Sequence, residues 1–124
     1  MTNLLMIFFI IAHVESGGNP NAIGKNGEVG IVQISPICVK EVNNHYGTTY
    51  KMTDCTNVVI SWHIFQKYLN LNCTKEKLHR EPTCQDFVRI WNGGPKGYRS
   101  PKTLHYWRKF KKQALKHKFV LEGK

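Results

Sequence analysis

Among the residues able to do chemistry, one carboxylic acid stands in an apolar setting. Glu15 follows the run Leu4 to Val14, whose one polar residue is His13, and precedes Ser16-Gly17-Gly18-Asn19-Pro20. On the last turn of a helix two effects raise the pKa of such a group. An apolar wall disfavours the charged form, and the partial negative charge at a helix C-terminus opposes a carboxylate. A carboxyl kept protonated near neutral pH serves as a general acid. The same short motif also suits a solvated helix end, so the rest of the chain must decide. Acids are scarce, 8 Asp and Glu against 18 Lys and Arg. Asp54, Asp86, Glu76 and Glu81 fall at or near expected helix N-termini, where negative charge is structurally useful. Glu41 falls on an exposed helix side and Glu122 in the tail. Glu28 is left as the possible second carboxylate.

Six helical segments are expected to carry these residues. The first, 3–16, is apolar nearly all round and so is predicted to be buried at its centre, with Gly17-Gly18 closing it. From Asn19 to Ile34 the chain has glycines at 24, 27 and 30 and the turn dipeptide Asn26-Gly27. This pattern predicts a small β-hairpin excursion. Ser35-Pro36 supplies an N-cap and a proline at the first helical position, opening a helix that ends near Gly47. Asp54 precedes Val58, Trp62, Phe65 and Leu69 at helical spacing, and Thr83 has Asp86 three residues on. Ser100-Pro101 opens the last helix, about 101–121. There Leu104, Trp107, Phe110, Ala114 and Leu121 share one face, opposite Arg108, Lys109, Lys112 and Lys116. The chain shows no repeat and no low-complexity linker. Its fold class is therefore mainly α, a single compact helical domain over 1–124 with a small β-hairpin excursion near 19–34.

Leu4 to Val14 is not read as a signal peptide, because no Lys or Arg precedes it and no small-x-small site follows. Its eleven residues also fall short of the about 20 needed to span a bilayer. Cys38, Cys55, Cys73 and Cys84 allow either four buried thiols or two bridges in one of three connectivities. Without a C-x-x-C pair they argue against zinc, and no metal site is expected. Asn72-Cys73-Thr74 matches the glycosylation pattern, a short match that arises easily by accident.

Four segments in order carry a resemblance: Glu15-Ser16-Gly17-Gly18-Asn19-Pro20, then Gly27 to Pro36, then Ile90-Trp91-Asn92-Gly93-Gly94-Pro95, then Leu104-His105-Tyr106-Trp107. Together they resemble the soluble lytic transglycosylase family of the lysozyme-like superfamily, particularly its short phage-type members, over about residues 4–112. The resemblance implies an α+β lysozyme-like fold with Glu15 as the single catalytic acid and Ser16 as the residue that orients it. It places Gln33 at the glutamine of the Gly-x-x-Gln element facing the glycan cleft. It makes Asn92 a hydrogen-bonding partner to substrate, beside Trp91 and Gly94, and sets Tyr106 close to the acid. Trp91 stands where tyrosine is more usual, and Glu28 where many members have a small residue. A sugar ring has apolar faces and hydroxyl edges, so aromatic platforms and amides suit it. Trp91 and Tyr106 equally suit a core, and Asn92 a helix C-terminal cap.

The implied reaction is lytic transglycosylation of the β-1,4 bond between N-acetylmuramic acid and N-acetylglucosamine in peptidoglycan, with no cofactor. The alternative is hydrolysis of the same bond by a lysozyme-type muramidase, which needs a second carboxylate, with Glu28 as the candidate. A different class of reading makes the chain a basic binding module. Residues 1–86 hold seven basic and seven acidic residues, so the whole net charge of +10 lies in 87–124. Such asymmetry points to an anionic partner. Arg89, Lys96, Arg99, Lys102, Arg108, Lys109, Lys111, Lys112, Lys116 and Lys118 come without a nucleic-acid motif, so no specific nucleic acid is expected. Anionic wall polymers bound through the basic C-terminal region are the expected partner beside the glycan strands. The expected setting is the bacterial cell wall, periplasmic or extracellular, with a phage or secretion association, and the expected state is a monomer.

Overall fold

The computed structural model describes residues 3–117. They form six α-helices in the order α1 (Leu4–Ser16), α2 (Pro36–Tyr46), α3 (Val58–Asn72), α4 (Lys75–Leu78), α5 (Cys84–Gly93) and α6 (Leu104–Lys116). Three single-turn 3-10 segments, Met52–Thr56, Gly97–Arg99 and Pro101–Thr103, complete them. The fold is mainly helical, as the sequence implies. The chain divides into two compact units, Ala12–Tyr68 and the combination of Met1–Ile11 with Leu69–Lys124. The divisions fall within α1 and α3.

In the unit 12–68, Val32, Ile34, Val42, Ile64 and Phe65 are fully buried. The Ser35 side chain accepts from the Cys38 N–H and Pro36 opens α2, as predicted, while Gly47 closes that helix with φ 67°. Two expectations change here. Asp54 does not cap α3; its carboxylate accepts from the Lys51 N–H at 2.8 Å and closes the Met52–Thr56 turn. Asn57 stands three residues before Ile60 and accepts its N–H at 3.0 Å, so the cap lies one residue before α3. The predicted hairpin is reduced to two isolated antiparallel bridges, Ile23 with Val29 and Val29 with Ile34. Positive φ at Gly27, Gly30 and Gln33 bends the chain too often for an extended ladder.

The other unit buries Ile7, Ile10, Ile11, Leu69, Val88, Ile90 and Phe110. Thr83 and Asp86 form the expected capping box of α5. Ser100 caps the short turn Pro101–Thr103, and α6 itself starts at Leu104. Through the α6 core face run Tyr106, Trp107, Phe110 and Ala114. Leu121, Lys118 and Glu122, and the last turn expected for this helix, lie outside the described residues. No helix among the described residues is long and apolar enough to cross a membrane.

Candidate active site

Glu15 occupies the last turn of α1 and is half-buried. Ser16, the final helical residue, fixes that turn. Its hydroxyl lies 2.7 Å from the Ile31 carbonyl and 3.2 Å from that of Ala12, and it accepts the Asn19 N–H at 3.1 Å. A hydroxyl has one proton, and the shorter contact identifies Ile31 as its acceptor. Gly17 and Gly18, with φ of 64° and 85°, turn the chain away from the helix. One side chain thus joins the end of the acid-bearing helix to the turn 30–34.

Gln33 lies in that same turn, with φ 57°, a conformation that costs a non-glycine residue free energy and collects at functional sites. Its Nε2 donates to the Ala22 carbonyl at 3.1 Å and to the Gly30 carbonyl at 3.0 Å. Both amide hydrogens are therefore committed to the backbone, and Oε1 is the atom left to a ligand. The Gln33 side chain therefore keeps an acceptor, Oε1, and no spare donor. That oxygen converges with Glu28 Oε1 on the open face of Gly24, where a Cβ would lie 2.5 Å from Gln33 Oε1 and closer still to Glu28. The Asn26 N–H holds Glu28 Oε1 at 3.1 Å. Gly30, with φ 96°, lets the turn rest on the Cys55 carbonyl, which the buried Ser61 hydroxyl also binds at 2.9 Å.

The remaining sequence-predicted residues sit in the other unit. Trp91 is half-buried and Asn92 exposed on the last turn of α5. The helix C-terminal cap, the alternative role for Asn92, belongs to Gly94, whose N–H donates to the Ile90 carbonyl at 2.9 Å. With φ 86° and ψ −171°, Gly94 occupies a region essentially closed to other residues. Tyr106 is 8% exposed, on the inner face of α6.

A family model described as Transglycosylase SLT domain matches residues 2–113. The chain belongs to the transglycosylase SLT domain family. The matched residues are nearly the whole chain. A lysozyme of Magallana gigas is 53% identical over 31 residues, which are 25% of this chain and 23% of that protein. The match thus spans about a quarter of either chain. A chain in the crystal structure of Aeromonas hydrophila PliI in complex with Meretrix lusoria lysozyme shares the fold, with TM-score 0.75 at 20% identity over 93% of both chains.

Within this SLT domain burial works against nucleophilic chemistry at Cys38, Cys55 and Cys73. All four are unbridged and buried. Burial pushes the Cys55 thiol up to about 11 and the Cys73 thiol up to about 12, and drives that of Cys38 higher still. Thiolates are thus suppressed at neutral pH. Asp86 is held below the usual carboxylate range. Burial alone would raise it, but the Arg80 guanidinium and the Thr83 N–H and hydroxyl bind its charged form and prevail. His105, Arg108, Lys109, Lys112 and Lys116 are exposed at helical spacing on α6, opposite its core face, and residues 87–117 contain no Asp or Glu.

One residue read as part of that basic footprint belongs elsewhere. Arg89 is 8% exposed, its Nε donating to Thr103 Oγ1 at 2.8 Å, Nη1 to Gln85 Oε1 at 2.7 Å and Nη2 to the Ser100 carbonyl at 2.8 Å. The available signal was its position between Val88 and Ile90, with Gln85 one turn earlier.

Proposed function

We propose that this SLT domain cleaves the β-1,4 bond between N-acetylmuramic acid and N-acetylglucosamine in peptidoglycan by single-acid lytic transglycosylation, with Glu15 as the acid. The observation that carries the reading is the fixing of the Glu15 helix end, through Ser16, to the turn that presents Gln33. Glu15 gives its proton to the glycosidic oxygen as the bond to the muramyl C1 breaks, releasing the N-acetylglucosamine side with a free hydroxyl. The resulting carboxylate then removes the proton of the muramyl C6 hydroxyl, whose oxygen closes on C1 to give a 1,6-anhydro product. The N-acetyl group stabilises the cationic centre between the two steps, and no cofactor takes part. In this reading Gln33 Oε1 is the glycan acceptor of the unit 12–68, and Asn92, Gly94, Trp91 and Tyr106 are the residues of the other unit with the chemistry to meet a sugar. The exposed cations of the C-terminal region hold the enzyme, a monomer, to anionic wall polymers at the bacterial cell wall, in the periplasm or outside the cell.

Hydrolysis of the same bond is the second reading. It is favoured by the Glu28 carboxylate, which is anchored by Asn26 and faces the same notch as Gln33 Oε1, where it could activate a water. Mass spectrometry of digested peptidoglycan separates the two, since anhydro-muramyl ends are one water lighter than reducing ends. Reducing ends alone would sink the transglycosylase reading. Clearing of a cell-wall suspension excludes a pure binder, which adsorbs without lowering turbidity.

A further inference from the structure

Arg89 is a buried charge that the proposed chemistry leaves unused. Its three hydrogen-bond acceptors, Thr103 Oγ1, Gln85 Oε1 and the Ser100 carbonyl, are all neutral. Burying a cation without an anionic hydrogen-bond partner is costly, and an apolar side chain of similar volume would fill the space more cheaply. What such a side chain lacks is a rigid fork with donors in several fixed directions. Here the fork spans from α5 to the two ends of the Pro101–Thr103 turn.

Thr103 passes the constraint on. It is 2% exposed, and its Oγ1 accepts from Arg89 Nε while lying 2.6 Å from the Gly97 carbonyl, to which it donates. Two glycines make the packing possible. The Arg89 carbonyl lies where a Cβ of Gly97 would stand, and the Thr103 Cγ2 methyl lies where a Cβ of Gly93 would stand. The segment 94–103 is thereby closed back onto α5, with the Thr103 methyl bearing on the residue between Asn92 and Gly94. A helix end carrying two successive glycines has high backbone freedom unless something restrains it.

We infer that Arg89, acting through Thr103, is a positioning residue that holds Asn92 and Gly94 in their glycan-binding arrangement. The inference rests on the reading of that turn as part of the glycan-binding surface. Without the clamp, binding must also order the turn, so the loss falls on affinity rather than on the proton transfers at Glu15.

Thr103→Val keeps the methyl shape and removes Oγ1, whereas Thr103→Ser keeps Oγ1 and removes the methyl. On soluble uncrosslinked peptidoglycan chains, Thr103→Val is expected to raise KM about tenfold with kcat within about twofold, and Thr103→Ser to restore most of the loss. Thermal melting shows whether each variant is folded. A folded Thr103→Val enzyme with wild-type KM overturns the inference, as does a parallel fall of kcat and melting temperature that serine does not rescue. Should Thr103→Val fail to fold, Arg89→Lys keeps the charge without the planar fork and carries the same expectation, and an unchanged KM there is equally fatal. Titration of the same chains into Glu15→Gln and Glu15→Gln/Thr103→Val reads affinity without turnover. A wild-type chain that binds the glycan but never cleaves it sinks the enzymatic reading alone, and the affinity ratio of these two variants then decides about Arg89. Absence of glycan binding overturns both.

Discussion

The two compact units differ most in how they use charge. Ala12–Tyr68 holds four acidic and four basic side chains and is neutral, while the unit made of Met1–Ile11 and Leu69–Lys124 carries the entire +10. In the neutral unit the fixing contacts described for the site run mainly from a serine and a glutamine to backbone carbonyls, with one backbone N–H on the Glu28 carboxylate. In the basic unit they run through ions, the Arg80–Asp86 pair and the Arg89 fork. The difference has a chemical sense. Neutral side chains bonded to main-chain carbonyls fix a turn without burying a net charge, whereas ions do so at a desolvation cost that their partners must offset.

The strongest test of that division is the acid itself. Glu15→Gln is expected to abolish release of anhydro-muramyl products, a loss of at least about 10²-fold to 10⁴-fold, while circular dichroism and adsorption to walls stay near wild type. Substantial activity in this variant would refute the assignment of Glu15 and, with it, the reading of the neutral unit as the catalytic one.

In the basic unit the same kind of substitution should act on stability. Asp86→Asn removes a 3%-exposed carboxylate that binds Arg80 and caps α5, and is expected to cost about 1–3 kcal/mol in chemical denaturation. The folded pKa of Asp86 lies below its unfolded one. Its contribution is therefore fully present above the ordinary aspartate pKa and fades as pH falls through the lower, folded value. The gap in stability between wild type and Asp86→Asn should accordingly shrink on acidification below about pH 4. A gap that stays constant down to pH 2 would deny Asp86 its charged role.

How far this contrast was legible in the sequence depends on the range of the physics. Local signals read well. The Ser35-Pro36 start, the Gly47 stop and the Thr83–Asp86 box each depend on residues within one helical turn, and all stand as expected. Asp54 and Asn57 both had the chemistry of a cap, and the choice fell to a 3-10 turn that composition does not announce. The hairpin expected over 19–34 is reduced to two isolated bridges, because the chain bends at positive φ, at Gln33 among other residues, which no single-residue preference predicts. Arg89 was misread because its partners Ser100 and Thr103 lie eleven and fourteen residues away. The place of Glu15 and Ser16 at the end of the first helix was legible, whereas the commitment of the Gln33 amide to Ala22 and Gly30 was not.

A milder perturbation probes the exposed cations. Replacing Lys109, Lys112 and Lys116 together by glutamine removes three charges from the exposed face of α6 and leaves its core face intact. If these side chains meet an anionic wall polymer, adsorption should weaken and its salt dependence should flatten by roughly one log unit per charge removed, by analogy with counterion release from polyanions. Turnover of soluble uncrosslinked peptidoglycan chains free of anionic wall polymers should stay unchanged. Equal salt slopes for the two proteins would show that the basic unit plays no part in capture.

The smallest expected effect returns to the neutral unit and its notch. Gly24 has no positive φ, so alanine is compatible with its backbone, and the added Cβ would meet the far ends of the Glu28 and Gln33 side chains rather than main chain. Gly24→Ala should therefore change stability by less than about 1 kcal/mol while pushing the two oxygens apart. Its effect on products discriminates between mechanisms. If Glu28 activates water, the fraction of reducing ends should fall and anhydro ends should persist; if Glu15 acts alone, the product ratio should hold and only KM should rise, about threefold, through the displaced Gln33 oxygen. An unchanged ratio together with an unchanged KM would mean that the notch is not part of the glycan site. The neutral unit would then be reduced to Glu15 and the serine that holds its helix end.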